Sequence, residues 1–544
     1  MARRFAVCLC LALLVAADSR LHAEPPVATV DLEAGFRDPP DEARPSAYWL
    51  WLNGYVNRAH VERELQAYYD VGVRGLCIFD MGARGAAEAM PPAGPAFMSE
   101  QSVDDIAHAV QVAGQIGMDV ELSVASSWDM GGSWVEPRHA SMGLFQTETL
   151  IDGPASVDEI LPFPTIPAKA PRHADGTPVF YKDVAVLAIP AGRRVPGYDF
   201  VFKLDRNDHN SLDYAVLSNS ASDNAKKYGD LHLFAKDFSI AVSTTSPTAD
   251  AFREVLHASL KPTIGPQRFD LPAVAARYVR LRILSGHNAA FDRVQLGEFE
   301  LFDTEGVNVV ASHAADRNRD GAELLGYPPA LGRDKSWTAE NLHDGSTVGA
   351  GGSWCSAGPP PLLIDDPTKI VDLTDRIDAD GRLQWDAPAG PWSLVRYVCA
   401  NTGEHLKVPS PNSDGLATDH FSREATQTFL EYLIDRLQAK VGKLDETALK
   451  QLYLASYEVR GTIWTPDMIE QFRNYRGYDM TPFLPALSSN IVRSDDATRR
   501  FIYDYRKTLG DLLVDAYYKT AVETAHAAGL GVESEAGGPG PPIH

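Results

Sequence analysis

Cysteine is scarce in this sequence, and its spacing excludes a cysteine-rich metal site. Five cysteines occur in 544 residues, and Cys8 and Cys10 lie in an apolar N-terminal stretch. The other three, Cys77, Cys355 and Cys399, are far apart and do not form a zinc-type pattern. One disulfide among them is permitted, but three small buried thiols fit equally well. A chain of this length can bury a core without disulfides.

Several other patterns are missing, and each absence excludes a class of function. The 15 histidines include no H-E-x-x-H pair, and no G-x-G-x-x-G joins a strand to a helix, so zinc-peptidase and nucleotide-binding patterns have no support. No interior run approaches 18 apolar residues, so we expect no transmembrane helix. The net charge of −23 repels nucleic acid and anionic lipid. We therefore expect neither a nucleic-acid nor a membrane partner, and a neutral substrate suits the charge.

The first 23 residues are typical of a secretory signal. Arg3 and Arg4 precede an apolar run over residues 5–17, and L-H-A at 21–23 places a small residue at the predicted cleavage point. The apolar run is too short to span a bilayer, which favours cleavage over anchoring. The pattern predicts a secreted or periplasmic protein with a signal peptide at 1–23.

The rest of the chain divides into three regions. Residues 24–142 alternate strand and helix patterns, and this alternation returns over 401–544. Residues 143–400 are instead rich in Pro, Gly, Ser and Asp and contain many short strand patterns, which indicates one or two inserted β-sandwich or jelly-roll modules. The flanking regions are thus predicted to be two parts of one α/β domain that the β-rich region interrupts.

The flanking regions predict a parallel sheet, because apolar strands alternate with amphipathic helices. Val73–Phe79 is almost continuously apolar. Ser102 followed by Asp105 resembles a capping box, and Thr465 followed by Pro466 is typical of another helix start. About five or six barrel strands can be counted. We therefore predict an α/β fold of the (β/α)8 TIM-barrel type, incomplete in this chain, with β-sandwich or jelly-roll insertions.

Carboxylates and indoles recur where the predicted strands end, which is where a (β/α)8 barrel places its active site. The side chains at these ends are the indoles and carboxylates of Trp51, Asp80, Trp128, Asp129, Trp134, Glu136, Asp419, Glu458, Glu533 and Glu535, together with the amide of Asn53. Two carboxyl groups on either side of a glycosidic bond can act as acid and as base or nucleophile, and Trp rings stack on sugar faces. The set contains no Ser-His-Asp or Cys-His arrangement, and it predicts a glycosidase.

Some candidates also have a purely structural explanation, and others fit one less well. Asp80 could cap the loop that follows it, and Asp419 could cap the next helix. Trp128 and Asp129 lie in a Gly/Ser-rich loop of a kind that often carries function. Glu458 directly follows an apolar strand, so plain surface exposure explains it least well.

Eight blocks of sequence occur in the order found in one enzyme family. They are P-S-A-Y-W-L-W-L-N-G (45–54), G-V-R-G-L-C-I-F-D-M-G (72–82), S-S-W-D-M-G-G-S-W-V-E-P (126–137), G-R-L-Q-W-D-A-P-A-G-P-W-S-L-V-R (381–396), S-Y-E (456–458), W-T-P (464–466), R-G-Y-D (476–479) and E-A-G-G-P (535–539). Together they span most of the chain, and the sequence resembles glycoside hydrolase family 106, the secreted bacterial α-L-rhamnosidases.

The resemblance implies calcium-assisted, inverting hydrolysis of terminal α-L-rhamnose from plant polysaccharides or glycosides. It implies that Glu458 is the catalytic acid and that Glu535 lies near the sugar and the calcium ion. The family's D-S-Y-E motif has Ala455 in place of its Asp, so the role of that Asp is lost or supplied elsewhere. The predicted catalytic residues are Glu458 and Glu535, the predicted substrate-binding residues are Asn53, Asp80, Trp128, Asp129, Trp134 and Asp419, and the predicted calcium ligands are Glu535 and Asp419.

Two further expectations come from resemblance. Residues 228–303 resemble a galactose-binding-like jelly roll through Y-V-R-L (278–281) and G-E-F-E-L (297–301); sugar binding and a structural brace for the barrel both remain open. In the family another strand follows with a further glutamate, the expected general base, so we expect the sequence to be part of a chain about twice as long. An inactive carbohydrate-binding fragment and a glycosidase of other sugar specificity remain alternatives.

Overall fold

The structure is a computed structural model of the chain. It describes residues 32–85, 90–190, 193–194, 197–204, 210–220, 233–288, 293–312, 321–327, 337–346, 352–356, 358, 360–455, 457 and 463–535. The predicted signal peptide at 1–23 and the predicted acid Glu458 both lie outside the described residues.

A five-stranded parallel sheet organises the α/β part of the chain. Its strands lie side by side in the order β1-β2-β3-β4-β5. The strands are β1 (Ser46–Leu52), β2 (Gly75–Met81), β3 (Asp119–Ser123), β4 (Leu449–Leu454) and β5 (Gly531–Ser534). The sheet is therefore assembled from both ends of the chain. The fold is mixed α/β, and no strand pairing among the described residues joins β5 to β1, so the predicted barrel is not seen closed in this part of the chain.

Helices cover one face of this sheet. They are α1 (Arg58–Asp70), α2 (Glu100–Ile116), α3 (Arg423–Val441) and α6 (Thr520–Ala527). Helices α4 (Met468–Arg476) and α5 (Asp495–Leu512) instead pack in a second core with strand residues of the β-rich region such as Tyr397. A π-helical segment at Leu513–Lys519 joins α5 to α6. Alternate strand residues such as Trp51, Ile78 and Leu122 pack into the core under the helices. None of the helices in the described part of the chain is long and apolar enough to cross a membrane.

The opposite face of the sheet is partly open to solvent. Tyr48 is 50% exposed and Leu50 is 48% exposed, whereas Trp51, on the helix side, is 5% exposed. Among the described residues, a small cluster that includes Phe79 and Tyr453 covers part of this face. The period of two along a strand thus separates a buried face from an open one.

The predicted helix starts are partly wrong. Helix α2 begins one turn earlier than predicted, because Ser99 is its N-cap and accepts a hydrogen bond from the amide of Ser102. Helix α4 begins at Met468, so Thr465 is not its cap. The N-cap of α3 is Ser422, whose hydroxyl accepts a hydrogen bond from the amide of Ala425.

Four antiparallel strands form the sheet closest in sequence to the α/β part. Met142–Ile160 pairs along its length with Arg382–Asn401, and Tyr181–Pro190 and Val371–Asp372 complete the sheet. Because the first and last residues of this region pair with each other, the chain leaves and re-enters the α/β part at neighbouring points.

A β-sandwich lies within this region. Its five-stranded sheet contains Tyr198–Lys203, Asp237–Ser243, Arg253–Ser259, Tyr278–Ile283 and Glu323–Gly326, and its three-stranded sheet contains Asn210–Asn219, Gly265–Ala276 and Glu298–Asp303. Inward side chains such as Phe200, Phe238 and Phe299 fill the space between the two sheets. The segment 228–303, which resembles a galactose-binding-like jelly roll, is only part of this sandwich. The sandwich also contains strands before residue 228 and after residue 303.

Short ribbons complete the described strands. They pair Gly131–Gly132 with Leu416–Ala417, Gln295–Leu296 with Trp354–Cys355, and Leu362–Ile364 with Ile491–Val492 and Arg193–Arg194. Cys77, Cys355 and Cys399 are buried free thiols, which matches the simpler of the two expectations for them.

Candidate active site

The C-terminal ends of the parallel strands lie along one edge of the sheet, and most predicted site residues follow these ends. A loop over 402–415, which enters from the β-rich region, contacts the same edge. Its Val408 carbonyl accepts a hydrogen bond from the amide of Gly82, just after β2, at 2.9 Å. The site therefore combines strand ends with a loop that no strand pattern predicts.

Asp80 ties this loop to the sheet. Its Oδ1 accepts hydrogen bonds from the Ser126 hydroxyl and from the Ser410 hydroxyl, the latter at 2.6 Å. The side chain is buried, and burial raises the pKa of Asp80 to about 6. Its predicted contact with substrate stays a prediction, and its observed bonds hold two loops at the end of β2.

Asn53 has a similar bracing position. Its backbone is in the left-handed region with φ 59°, its side-chain amide donates to the Pro91 carbonyl at 2.7 Å, and its Oδ1 accepts from the Ala83 amide at 2.8 Å. Both ends of the side chain thus contact main chain, and its predicted role in substrate binding stays a prediction.

Asp129 pairs with a lysine of the incoming loop. The Lys407 ammonium lies 3.3 Å from Asp129 Oδ2. Asp129 is buried, while the lysine side chain is partly exposed. Sequence reasoning missed Lys407, because it lies in a loop without strand or helix period and only the fold brings it to Asp129.

Asp419 is almost fully buried. Thr465 Oγ1 donates to its Oδ2 at 2.7 Å and the Phe421 amide donates to its Oδ1 at 3.0 Å. Burial raises the pKa of Asp419 to about 7. The Thr465 hydroxyl, which was expected to cap α4, therefore binds the Asp419 carboxyl group instead.

His420 was also missed in the sequence. The ring is fully buried, and one ring nitrogen, Nδ1, lies 2.8 Å from the Thr418 carbonyl, so Nδ1 carries the proton. Burial lowers the pKa of His420 to about 4, which keeps the ring neutral near pH 7. Tyr457 and Tyr517 pack edge-on against it, with ring centroids at 5.0 and 4.6 Å.

Tyr457 is the described residue nearest in sequence to Glu458. It packs on His420 and, at 6.3 Å between ring centroids, on Phe421. Burial raises the pKa of Tyr457, and the charges of Asp419 and Asp129 add to this effect. The end of β4 therefore lies beside the Asp419 segment.

Two phenols hold Glu535 at the end of β5. The Tyr453 hydroxyl donates to Glu535 Oε1 at 2.9 Å, and the Tyr48 hydroxyl lies 3.4 Å from the same oxygen and 2.6 Å from the Tyr453 hydroxyl. Burial raises the pKa of both phenols, so both stay protonated as donors at neutral pH. On the same face, burial and the charge of Glu533 raise the pKa of Glu121 to about 7.

The two predicted pocket tryptophans lie in different places. Trp128 packs on Phe79 of the open face, with ring centroids 4.8 Å apart. Trp134 stacks on Phe429 and Tyr432 of α3 at 5.0 and 4.9 Å, within the helix-side core. The structure therefore does not place Trp134 beside Trp128.

The predicted calcium ligands Glu535 and Asp419 are not part of a cluster of metal-binding side chains among the described residues. No group of three or more His, Cys, Asp or Glu among them could hold a metal ion. Both oxygens of Asp419 accept protein hydrogen bonds, and Oε1 of Glu535 accepts from Tyr453. Calcium binding by Glu535 and Asp419 stays a prediction.

A comparison with protein families decides the relationship of this chain. The family model of glycoside hydrolase family 106, described as alpha-L-rhamnosidase, matches residues 37–309 and 356–542. The chain belongs to this family. The match includes all five strands of the parallel sheet, and it confirms the resemblance found in the sequence blocks.

Two other proteins are similar to the family 106 chain. It is 22% identical over 504 residues to a protein named putative beta-glucuronidase from Formosa agariphila, covering 92% of this chain and 30% of the relative. It shares its fold with a solved rhamnosidase from Novosphingobium sp. PP1Y, at a TM-score of 0.57 and 24% identity, covering 94% of this chain and 47% of that one. The chain thus spans about half of the solved relative and less than a third of the curated one.

Proposed function

We propose that this chain is the site-bearing part of a secreted, α-L-rhamnosidase-like glycoside hydrolase that releases terminal α-L-rhamnose from plant polysaccharides or glycosides. The observation that carries the proposal is the family match over both chain segments that build the parallel sheet. The acidic composition suits a neutral glycan, and the N-terminal pattern supports a secreted or periplasmic location.

The proposal assigns the parallel sheet to a (β/α)8 barrel. Helices on a single face and an open opposite face with Tyr48 and Leu50 support this assignment, because parallel sheets are normally covered on both faces. Further strands beside β5 and β1 would close the barrel and cover the open face. The active site would then lie at the strand ends that hold Asp129, Asp419 and Glu535.

In the proposed mechanism, Glu458 donates its proton to the departing glycosidic oxygen. A second carboxylate activates water on the other face of the sugar ring, at roughly 6.5–9.5 Å from the first, so that the anomeric configuration inverts. Glu535, oriented by Tyr453 and Tyr48, is the described carboxylate that we place beside the reacting sugar. Glu535 and Asp419 would hold a calcium ion, which would supply a hard cation for binding the sugar's hydroxyl oxygens.

The test is hydrolysis of methyl α-L-rhamnoside, whose alkoxide leaving group needs a proton, by the full-length protein and by its Glu458→Gln variant. We expect the variant to lose turnover by about 10²- to 10⁴-fold, because the leaving oxygen is no longer protonated, while the affinity for rhamnose is kept. Glu136→Gln is the matched control, since Glu136 is exposed and paired with Arg138 at 2.9 Å. Unchanged turnover in Glu458→Gln would contradict the assignment of the acid.

A glycosidase of other specificity is the second candidate, because the curated relative is named a putative beta-glucuronidase. A panel of nitrophenyl glycosides that includes the β-D-glucuronide separates the two. Cleavage of the glucuronide without cleavage of the rhamnoside would support the second candidate. Binding of sugar without cleavage of any glycoside would support a carbohydrate-binding fragment.

A further inference from the structure

The loop over 402–415 has a strained backbone at Val408. Its φ of 54° lies in the left-handed region, which a β-branched residue rarely adopts, and such strain persists only where the surroundings hold it. The surroundings here are close. A Cβ on Gly82 would lie 2.5 Å from the Pro409 carbonyl oxygen, so the loop can approach β2 only because residue 82 is glycine.

Hydrogen bonds fix the loop on both sides of the strained residue. The Ser127 hydroxyl donates to the Lys407 carbonyl. The Ser410 amide donates to the Ser126 hydroxyl at 2.9 Å, and the Ser410 hydroxyl donates to Asp80. The main chain of Lys407 is therefore held in one position before any ligand binds, and such preorganisation is typical of binding sites.

The side chain of Lys407 extends this arrangement into the site. Its ammonium lies 3.3 Å from Asp129 Oδ2, and the side chain of Asp129 is 2% exposed while that of Lys407 is 30% exposed. Solvent, and therefore a ligand, can reach the lysine but hardly the carboxylate. The ammonium also lies close enough to His420 for its charge to act on that ring.

We propose that Lys407 is a specificity-determining residue that donates a hydrogen bond to one hydroxyl oxygen of the bound sugar, and that Asp129 positions it. An ammonium carries three N–H donors, so it can contact a carboxylate and a hydroxyl oxygen together. Asp129 balances the charge of the lysine, so the pair suits a neutral pyranose better than a uronate. The inference rests on the proposed function only for the identity of the sugar.

The test measures binding and turnover for Lys407→Met with nitrophenyl α-L-rhamnoside, with its three monodeoxy analogues, and with a panel of other neutral pyranosides and the β-D-glucuronide. We expect affinity for the full glycoside to fall about 10- to 100-fold, since the lost hydrogen bond has a charged donor. One deoxy analogue should bind wild type and Lys407→Met equally well, because it lacks the oxygen that Lys407 contacts. A purely structural role would weaken all analogues alike.

Two further variants keep the result interpretable. Lys407→Arg retains charge and donors and should regain part of the affinity that Lys407→Met loses, even if both variants are less stable. Lys169→Met is the matched control, because Lys169 pairs with Glu404 of the same loop at 3.7 Å but is well exposed. Its affinity for the glycoside should equal that of wild type.

The outcomes separate this inference from the proposed function. Unchanged affinity in Lys407→Met, equal losses for every deoxy analogue, or a loss confined to the glucuronide would overturn the inference. If wild type binds another neutral pyranoside and not the rhamnoside, and Lys407→Met weakens that binding, the inference stands and the proposed function falls. Failure of wild type to bind any sugar of the panel would overturn both.

Discussion

At the scale of single residues, the chemistry of the site depends on how carboxyl groups are held. Glu535 accepts from a phenol of β4 and lies near a phenol of β1, so three strands fix one side chain. Asp80 and Asp419 are held by hydroxyls and by burial, which raises the pKa of both. The carboxyl groups of the site therefore differ in which donors bind them and in how burial affects them.

We expect Tyr453 and Tyr48 to affect turnover only by orienting Glu535. We expect Tyr453→Phe to lower turnover of the rhamnoside about 10-fold, because the carboxylate loses the donor that orients it. In a Glu535→Gln background the same substitution should have almost no further effect. Tyr478→Phe is the control, since its hydroxyl bonds Asp504 at 3.0 Å, away from the sheet. Additive effects of Tyr453→Phe and Glu535→Gln would contradict this role.

Glu298 in the β-sandwich should make stability depend on pH. It is buried, it accepts from the Gly345 amide, and burial raises the pKa of Glu298 to about 8. Between about pH 4.5 and 8 the folded chain keeps a proton that the unfolded chain has lost, so stability falls as pH rises through this window.

Glu298→Gln removes this titration. We expect the free energy of unfolding of Glu298→Gln, relative to that of wild type, to be on the order of 3 kcal/mol higher at pH 8 than at pH 5. Urea unfolding at both pH values measures this difference. Glu305→Gln, at an exposed position, should show no such gain. A constant difference between Glu298→Gln and wild type at both pH values would refute the prediction.

At the scale of elements, local patterns located helices and strands better than they located their ends. Thr465 and Pro466 form a good helix start, yet α4 begins at Met468 because the Thr465 hydroxyl bonds Asp419 instead. A buried carboxyl group gains more from that hydroxyl than an exposed helix end does. The sequence could not show this, since Asp419 lies 46 residues away.

The contact between β2 and the 402–415 loop joins two elements of the fold, and one substitution can test it. Gly82→Ala should destabilise the chain by about 1–3 kcal/mol, because the added methyl group would collide with two backbone carbonyls. Urea unfolding measures this loss. Gly358→Ala, where a Cβ would meet nothing within 4 Å, is the control. Equal stability of Gly82→Ala and wild type would mean that the loop does not dock as described.

At the scale of the whole molecule, the parallel sheet has one face covered by helices and one face that is partly open, chiefly along β1. Neighbouring residues of β1 therefore differ sharply, and substitutions on the two faces should differ as well. Trp51→Ala should lower the free energy of unfolding by about 3–5 kcal/mol, because it removes a buried indole. Leu50→Glu, on the half-exposed side, should change it by about 0.5 kcal/mol or less. If Leu50→Glu lowered the free energy of unfolding as much as Trp51→Ala does, the face of the sheet that carries Leu50 would be covered in solution.

Much of the molecule follows from the sequence alone. Alternating apolar patterns predicted a parallel α/β sheet interrupted by a β-rich region, and the order of conspicuous blocks indicated the family. These features are local, because hydrophobic period and turn residues act within a few residues. The strand-end positions of Asp80, Asp129 and Glu535 follow from the same local patterns.

Only the tertiary structure decided which of these residues meet and what each one contacts. It placed Trp134 under α3, gave Glu535 its two phenols, brought Lys407 to Asp129, and buried His420 beside Asp419. Each of these contacts joins segments that lie far apart in the chain or depends on how deeply a group is buried. Their strength depends on distance and desolvation in the folded chain, and no local sequence pattern contains either quantity.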